Sequence, residues 1–145
     1  MIRDIKISDK DSYNELGLLI TDNFKTTNKL DNIINSEYNK IKVFEQNQKI
    51  LGFIEYTLLE DEVDIVNLVV DKNHRNQKIA TNLMVNLINE TKREKYVLEV
   101  KSNNHIARNL YKSLGFIDKG IRKGYYNGID AITMVKELWK KMFTY

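Results

Sequence analysis

The chain has 145 residues, of which 42% are hydrophobic and 30% charged, with a formal net charge of +3. That fits one globular domain over residues 1–145 and is too apolar for a disordered chain. No window reaches the ~18 apolar residues of a membrane span, Met1-Ile2-Arg3-Asp4 offers no apolar leader, and the absence of cysteine excludes disulfides and thiolate chemistry.

A cytoplasmic address fits these exclusions. Charge is uneven: residues 1–60 carry 8 Lys/Arg against 10 Asp/Glu, and 61–145 carry 15 against 10. The positive half is either a solvated lysine surface or a field for a polyanion. Lys, Asn and Ile make up 52 of the 145 residues and proline is absent, which reads as the AT-rich codon usage of a bacterium.

Residues 2–7 alternate apolar and charged side chains, the period of a half-buried strand. Ser8 or Asp9 can cap a following helix with Tyr13, Leu16, Leu19 and Ile20 on one face. Leu30, Ile33 and Ile34 suggest a short second helix. Strands at 41–44 and 50–59 bracket Asn47-Gln48, a hairpin signal without glycine. Residues 62–70 form a further strand, and from Ile79 the apolar positions 79, 80, 83, 84, 87 and 88 trace a helical stripe. Strand 96–100, helix 104–114 and strands 116–123 and 131–135 follow, and then Leu138, Trp139, Met142 and Phe143 in a segment that is a last amphipathic element, a dimer contact or a tail. Strands interrupted by helices in this order predict an α/β fold, a mixed sheet with packed helices.

Three places carry candidate chemistry. Between strand 62–70 and the helix from Ile79, Arg75 and Lys78 lie where free backbone N–H groups and a positive dipole end would suit a pyrophosphate; a plain basic loop explains them equally. Glu99, inside the apolar strand 96–100, is either a solvated edge carboxylate or a general base tuned by partial burial. Tyr111 shares a helical stripe with Ala107, Leu110 and Leu114, so it is a core aromatic or a proton donor at the rim. Asn104 suits a helix N-cap and Gly115 a helix C-terminus. With only His74 and His105, no cysteine and no spaced ligand cluster, no metal site is expected.

The run Val69-Val70-Asp71 with Arg75-Asn76-Gln77-Lys78-Ile79-Ala80 resembles the acetyl-CoA signature of the GNAT superfamily of N-acetyltransferases. Leu98-Glu99-Val100, Asn104, Ala107, Leu110-Tyr111 and Leu114-Gly115-Phe116 look like its second half. Gly120-Ile121-Arg122, Tyr125-Tyr126, Asp130-Ala131 and Met134 are similar to the ribosomal-protein alanine N-acetyltransferases (RimI type) within it. The resemblance implies a GNAT fold: a splayed mixed sheet, helices on both faces, with acetyl-CoA wedged where two parallel strands part. It implies that the backbone of Leu68, Val69 and Val70 binds pantetheine, that Arg75, Asn76, Gln77, Lys78, Ile79, Ala80 and Thr81 hold the pyrophosphate, and that Asn104 touches the cofactor. Glu99 matches the family's general base and Tyr111 its general acid, with Arg122, Tyr125 and Tyr126 toward the acceptor.

The implied enzyme acetylates a protein N-terminus, the alanine of a small-subunit ribosomal protein, by direct transfer. It acts in the cytoplasm as a monomer or weak dimer, without metal, membrane or direct nucleic-acid contact. A small-amine acetyltransferase, for which Glu60-Asp61-Glu62 offers an acidic cluster, and a non-catalytic CoA-binding module are the alternatives. Two departures stand out. Lys78 occupies the signature's glycine position, where a positive φ would cost about 1 kcal/mol. The segment around Phe24-Lys25-Thr26-Thr27 lacks the Pro-Trp pair common in the subfamily.

Overall fold

The alternating and 3.6-residue patterns become strands and helices in the computed structural model, which describes residues 1–138. Trp139, Met142 and Phe143, of the last segment read from the sequence, lie outside the described residues. In chain order the elements are β1 (Ile2–Asp4), α1 (Lys10–Gly17), α2 (Phe24–Thr27), α3 (Leu30–Ile33), β2 (Asn39–Gln46), β3 (Lys49–Leu58), β4 (Glu62–Val70), α4 (Ile79–Thr91), β5 (Lys95–Lys101), α5 (His105–Ser113), β6 (Ile117–Tyr126) and β7 (Ile129–Glu137). The strands hydrogen-bond in the order β1-β2-β3-β4-β5-β7-β6. β4 and β5 are parallel from Glu62↔Lys95 to Ile65↔Leu98, while β1–β2, β2–β3, β5–β7 and β6–β7 are antiparallel. The sheet is therefore mixed and the class α/β, as expected.

The described chain forms two compact units. In the first, Met1–Leu58 with Val66–Thr91, helices cover both faces of the strands. Ile41, Val43 and Phe53 join Tyr13, Leu16, Phe24, Leu30 and Val69 in one core, with the Tyr13 ring 5.0 Å from Phe24 and 4.9 Å from Phe53. Lys42, one residue out of phase, faces the other way and pairs with Asp4 at 2.7 Å and with Glu90 of α4 at 2.8 Å. The β2–β3 turn is Asn47-Gln48, both left-handed at φ 53° and 63°, which is the two-residue hairpin turn whose twist matches the strands.

Two N-terminal expectations are corrected. The strand expected at 2–7 stops at Asp4, because the Asp9 carboxylate takes the Lys6 N–H at 2.8 Å and two Arg3 N–H groups, and the chain coils into a 3-10 turn, Ile7–Asp9. Leu19 and Ile20, expected on the apolar face of α1, lie beyond its end and are 38% and 43% exposed. The Phe24 ring presses on Gly17 where any Cβ would collide with it, so the chain turns to bring α2 in rather than adding another helical turn.

In the second unit, Leu59–Ile65 with residues 92–138, β7 lies between β5 and β6. The β6–β7 turn is Asn127-Gly128, φ 48° and 93°, closed by the pair Tyr126↔Ile129. α5 begins at an Asn104 cap whose side chain accepts the Ala107 N–H at 3.2 Å. It ends in a Schellman turn: Phe116 N–H reaches Tyr111 C=O at 3.0 Å, Gly115 N–H reaches Lys112 C=O at 3.0 Å, and Gly115 adopts φ +95°.

One buried acid affects stability. Glu55, 6% exposed on β3, accepts the Tyr13 O–H at 2.8 Å and faces Asn67 Nδ2 at 3.5 Å. Burial raises its carboxyl above the ordinary 4.5, although both hydrogen bonds pull it down. Folding thus favours the protonated form: this contribution is complete below the unfolded value and is lost as pH rises through the raised one. Glu55→Gln, which still accepts the Tyr13 O–H, is expected to flatten the decline in Tm as pH rises above the ordinary carboxylate value of 4.5. An equally steep decline in the variant would place that pH dependence elsewhere.

Candidate active site

In the first unit, β4 hands the chain to α4 through a structured loop. The Asp71 N–H bonds Leu51 C=O at 2.8 Å, and the Asp71 carboxylate accepts the Asn73 N–H at 3.3 Å and lies 3.2 Å from His74 Nδ1. The Asn73 N–H and the His74 ring hold this carboxyl below its usual range. Beyond it Asn76 and Lys78 are left-handed, at φ 66° and 61°, and residues 75–78 are exposed. Lys78 therefore pays the backbone cost that its place in the signature implied. Its C=O accepts the Asn82 N–H at 2.9 Å, so the N–H groups of Ile79, Ala80 and Thr81 form the open first turn of α4. Ile79 is buried and anchors that turn. Val69 is buried, with Leu68 and Val70 partly so.

In the second unit, Glu99 on β5 lies 2.6 Å, through Oε2, from Arg122 Nε on β6; the carboxylate is 22% exposed and the arginine 58%. The Arg122 guanidinium lies 4.6 Å from the centre of the Tyr125 ring, Tyr125 and Tyr126 meet edge-on at 5.1 Å, and Lys101 Nζ stands 5.6 Å over Tyr126. Partial burial, then the Glu99 charge, raise the Tyr126 hydroxyl. Four residues expected at the catalytic or acceptor end, Glu99, Arg122, Tyr125 and Tyr126, thus form one cluster.

Tyr111 stands apart from it. It is buried against Phe116, ring centres 6.0 Å apart, and burial pushes its phenol up to about 12. Among the described residues it shares no hydrogen bond or ion pair with Glu99. Asn104 spends its side-chain oxygen on the α5 cap.

Periodicity passed over two acids. Glu55 is one. The other is Asp64, which burial and a hydrogen bond to Glu62 raise to about 6, and whose Oδ1 is buried without a hydrogen-bond partner among the described residues. Like Glu99 between Leu98 and Val100, Asp64 is an acid flanked by apolar strand residues, Val63 and Ile65. Among the described residues no three His, Cys, Asp or Glu side chains are grouped to hold a metal ion, and no helix is long and apolar enough to cross a membrane.

The family model for the acetyltransferase (GNAT) domain matches residues 9–138. The chain belongs to the GNAT acetyltransferase family. It is similar to a putative [ribosomal protein bS18]-alanine N-acetyltransferase of Bacillus subtilis, 32% identical over 107 residues, 70% of this chain and 71% of that one. The corresponding enzyme of Escherichia coli K12 is 34% identical over 89 residues, 59% of this chain and 60% of that one. The crystal structure of the ribosomal-protein-S18-alanine N-acetyltransferase from Escherichia coli superposes with a TM-score of 0.83 at 27% identity, covering 94% of this chain and 92% of that one. As a GNAT member this chain is an acyltransferase, and its fold is the family's.

For this GNAT acetyltransferase, the left-handed Lys78 yields a stability test. Lys78→Gly is expected to leave unfolding free energy unchanged or raise it by up to about 1 kcal/mol, strain relief offsetting the added freedom of the unfolded chain. Lys78→Val, branched at Cβ, is expected to lower it by at least about 1 kcal/mol. Urea unfolding of both variants decides; a loss in the glycine variant would show that the loop stores no strain at this residue.

Proposed function

We propose that the chain is a single acetyltransferase domain that moves the acetyl group of acetyl-CoA onto the N-terminal amine of a protein, the alanine of a small-subunit ribosomal protein, in the bacterial cytoplasm. The observation that carries the reading is the family match over residues 9–138, together with relatives named as ribosomal-protein alanine N-acetyltransferases. The enzyme works as a monomer or weak dimer, without metal, membrane or nucleic-acid contact.

The residues present fit the cosubstrate. Arg75, Asn76, Gln77 and Lys78 are exposed, and the first-turn N–H groups of Ile79, Ala80 and Thr81 open onto the same loop, a donor set that suits a pyrophosphate. In this reading the backbone of Leu68, Val69 and Val70 holds the pantetheine, and Asn104 contacts the cofactor while capping α5. Acetyl-CoA supplies a thioester acyl group with a thiolate leaving group.

Glu99 is the proton acceptor in this scheme. An α-amine with a pKa of about 7.7–8.0 is largely protonated at neutral pH and must lose a proton before attacking. A partly exposed carboxylate on a rigid strand takes it, directly or through one water. Tyr125 and Tyr126 line the acceptor side, beside the Glu99–Arg122 pair. Tyr111 keeps its O–H at all physiological pH values and donates it as a hydrogen bond to the departing sulfur. Full transfer from a phenol near 12 to a thiolate with the pKa of a free cysteine, about 8.5, is uphill by roughly 5 kcal/mol. The proton that ends on sulfur is therefore one shed by the amine, with Tyr111 stabilising the charge meanwhile.

Thiol release from acetyl-CoA, with peptides of differing N-termini, spermidine and an aminoglycoside as acceptors, tests the reaction. Preference for an N-terminal alanine peptide is expected; preference for spermidine would move the acceptor to small amines, and release with none would end the enzymatic reading. Glu99→Gln should lower turnover 10²- to 10⁴-fold, by order of magnitude, at neutral pH and recover partly as the amine deprotonates unaided. A pH-independent loss would remove Glu99 as the proton acceptor. Tyr111→Phe should spare acetyl-CoA binding by calorimetry and slow turnover about tenfold, the loss of one hydrogen bond to charge; an unchanged rate would return Tyr111 to the core.

A further inference from the structure

Arg122 was expected among the acceptor-binding residues, yet its nearest charged partner is Glu99. The strand register shows how the two meet. Glu99 pairs with Thr133 and Lys101 with Ala131 across β5–β7; Gly120 pairs with Thr133 and Arg122 with Ala131 across β6–β7. Directly paired residues share a face, so Glu99, Thr133 and Gly120 form one row and Lys101, Ala131 and Arg122 the next. Adjacent strands lie ~4.8 Å apart, so the backbones of Glu99 and Arg122 stand roughly 10 Å apart with β7 between them. Only a diagonal reach over small residues closes that gap. Gly120 has no side chain, and Ala131 and Thr133 are small.

The guanidinium is also fixed from its other side. It lies over Tyr125 at 4.6 Å while Nε faces Glu99, a double use that a planar guanidinium permits and an ammonium does not. Lys101, the neighbouring cation in the row, lies over Tyr126 instead. A pair with its arginine more than half exposed contributes little to stability, so folding is a weak account of this arrangement.

We propose that Arg122 is the positioning residue of Glu99, holding its carboxylate in one direction above β7 so that the acceptor amine meets a pre-aimed base. The proposal rests on the reading of Glu99 as proton acceptor. A carboxylate released from this contact samples several rotamers, and misdirection slows the chemical step more than it weakens binding.

Steady-state kinetics with acetyl-CoA and an N-terminal alanine peptide provide the test. Arg122→Ala is expected to lower kcat about tenfold, with KM for peptide and acetyl-CoA within about twofold. Arg122→Lys should recover part of kcat. In the Glu99→Gln background, Arg122→Ala should have no further effect, because the group it acts through is gone. A raised peptide KM at unchanged kcat, or an additive loss in the double variant, overturns the proposal and leaves Arg122 an acceptor contact. Glu99→Gln with unchanged kcat is a different failure, that of Glu99 as base. Independently of turnover, the ¹⁵N-detected Nε–H resonance of Arg122 should shift in Glu99→Gln; no shift shows that the pair does not form and overturns the proposal.

Discussion

β7 hydrogen-bonds along both edges, to β5 on one side and to β6 on the other, and the chemistry of the second unit depends on that double register. Side chains in a sheet alternate faces, so a slip of one residue on either edge would send Glu99 and Arg122 to opposite sides. At the β6–β7 turn Asn127 and Gly128 take the two left-handed positions of the tightest hairpin connection, and a bulge between Tyr126 and Arg122 then shifts the register. Asp130 reinforces it, accepting the Gly124 N–H at 2.9 Å and pairing with Lys123 at 3.3 Å. Buried Ala131 and Met134 commit β7 further, since shifting them would expose apolar surface. The turn together with the bulge behind it thereby decides which cation meets the candidate base.

The first unit solves a different problem. Its strands carry charged groups into both covered faces, Glu55 toward α1 and Lys42 toward α4, and each is matched differently. Lys42 finds two carboxylates, so its charge survives burial. Glu55 finds a phenol and an amide, both neutral, and burial then favours its protonated form. The β4–α4 loop, by contrast, accepts strain at its surface: two left-handed residues within three positions lead the chain into α4, whose first-turn N–H groups lie outside its helical ladder.

Local signals were legible where one element explains them. The strand at 62–70 and the helix start at Ile79 match the expected positions, because both patterns are complete within one element. The Asn104 cap and the Gly115 terminator were readable for the same reason, each being satisfied within one turn of helix. Leu19 and Ile20 misled because periodicity continues past a point where tertiary packing, Phe24 against Gly17, ends the helix. The strand expected at 116–123 runs three residues further, to Tyr126, where Asn127-Gly128 makes the hairpin turn. The Glu99–Arg122 contact was beyond reach of pattern reading: 23 positions apart, the two residues meet only through the register of a third strand.

The two proposed proton-handling groups differ in burial, and the difference assigns their work. Glu99 reaches solvent and sits beside a cation, so it can exchange a proton with water between turnovers. Tyr111 is buried against Phe116 with its hydroxyl held neutral. A buried phenol is a poor proton source but a steady hydrogen-bond donor, since it neither ionises nor loses its direction to solvent. Proton traffic then belongs to the exposed strand and charge stabilisation to the buried helix. The arginine beside the carboxylate fits this division by fixing its direction, whereas a cation next to Tyr111 would favour the phenolate and remove the donor.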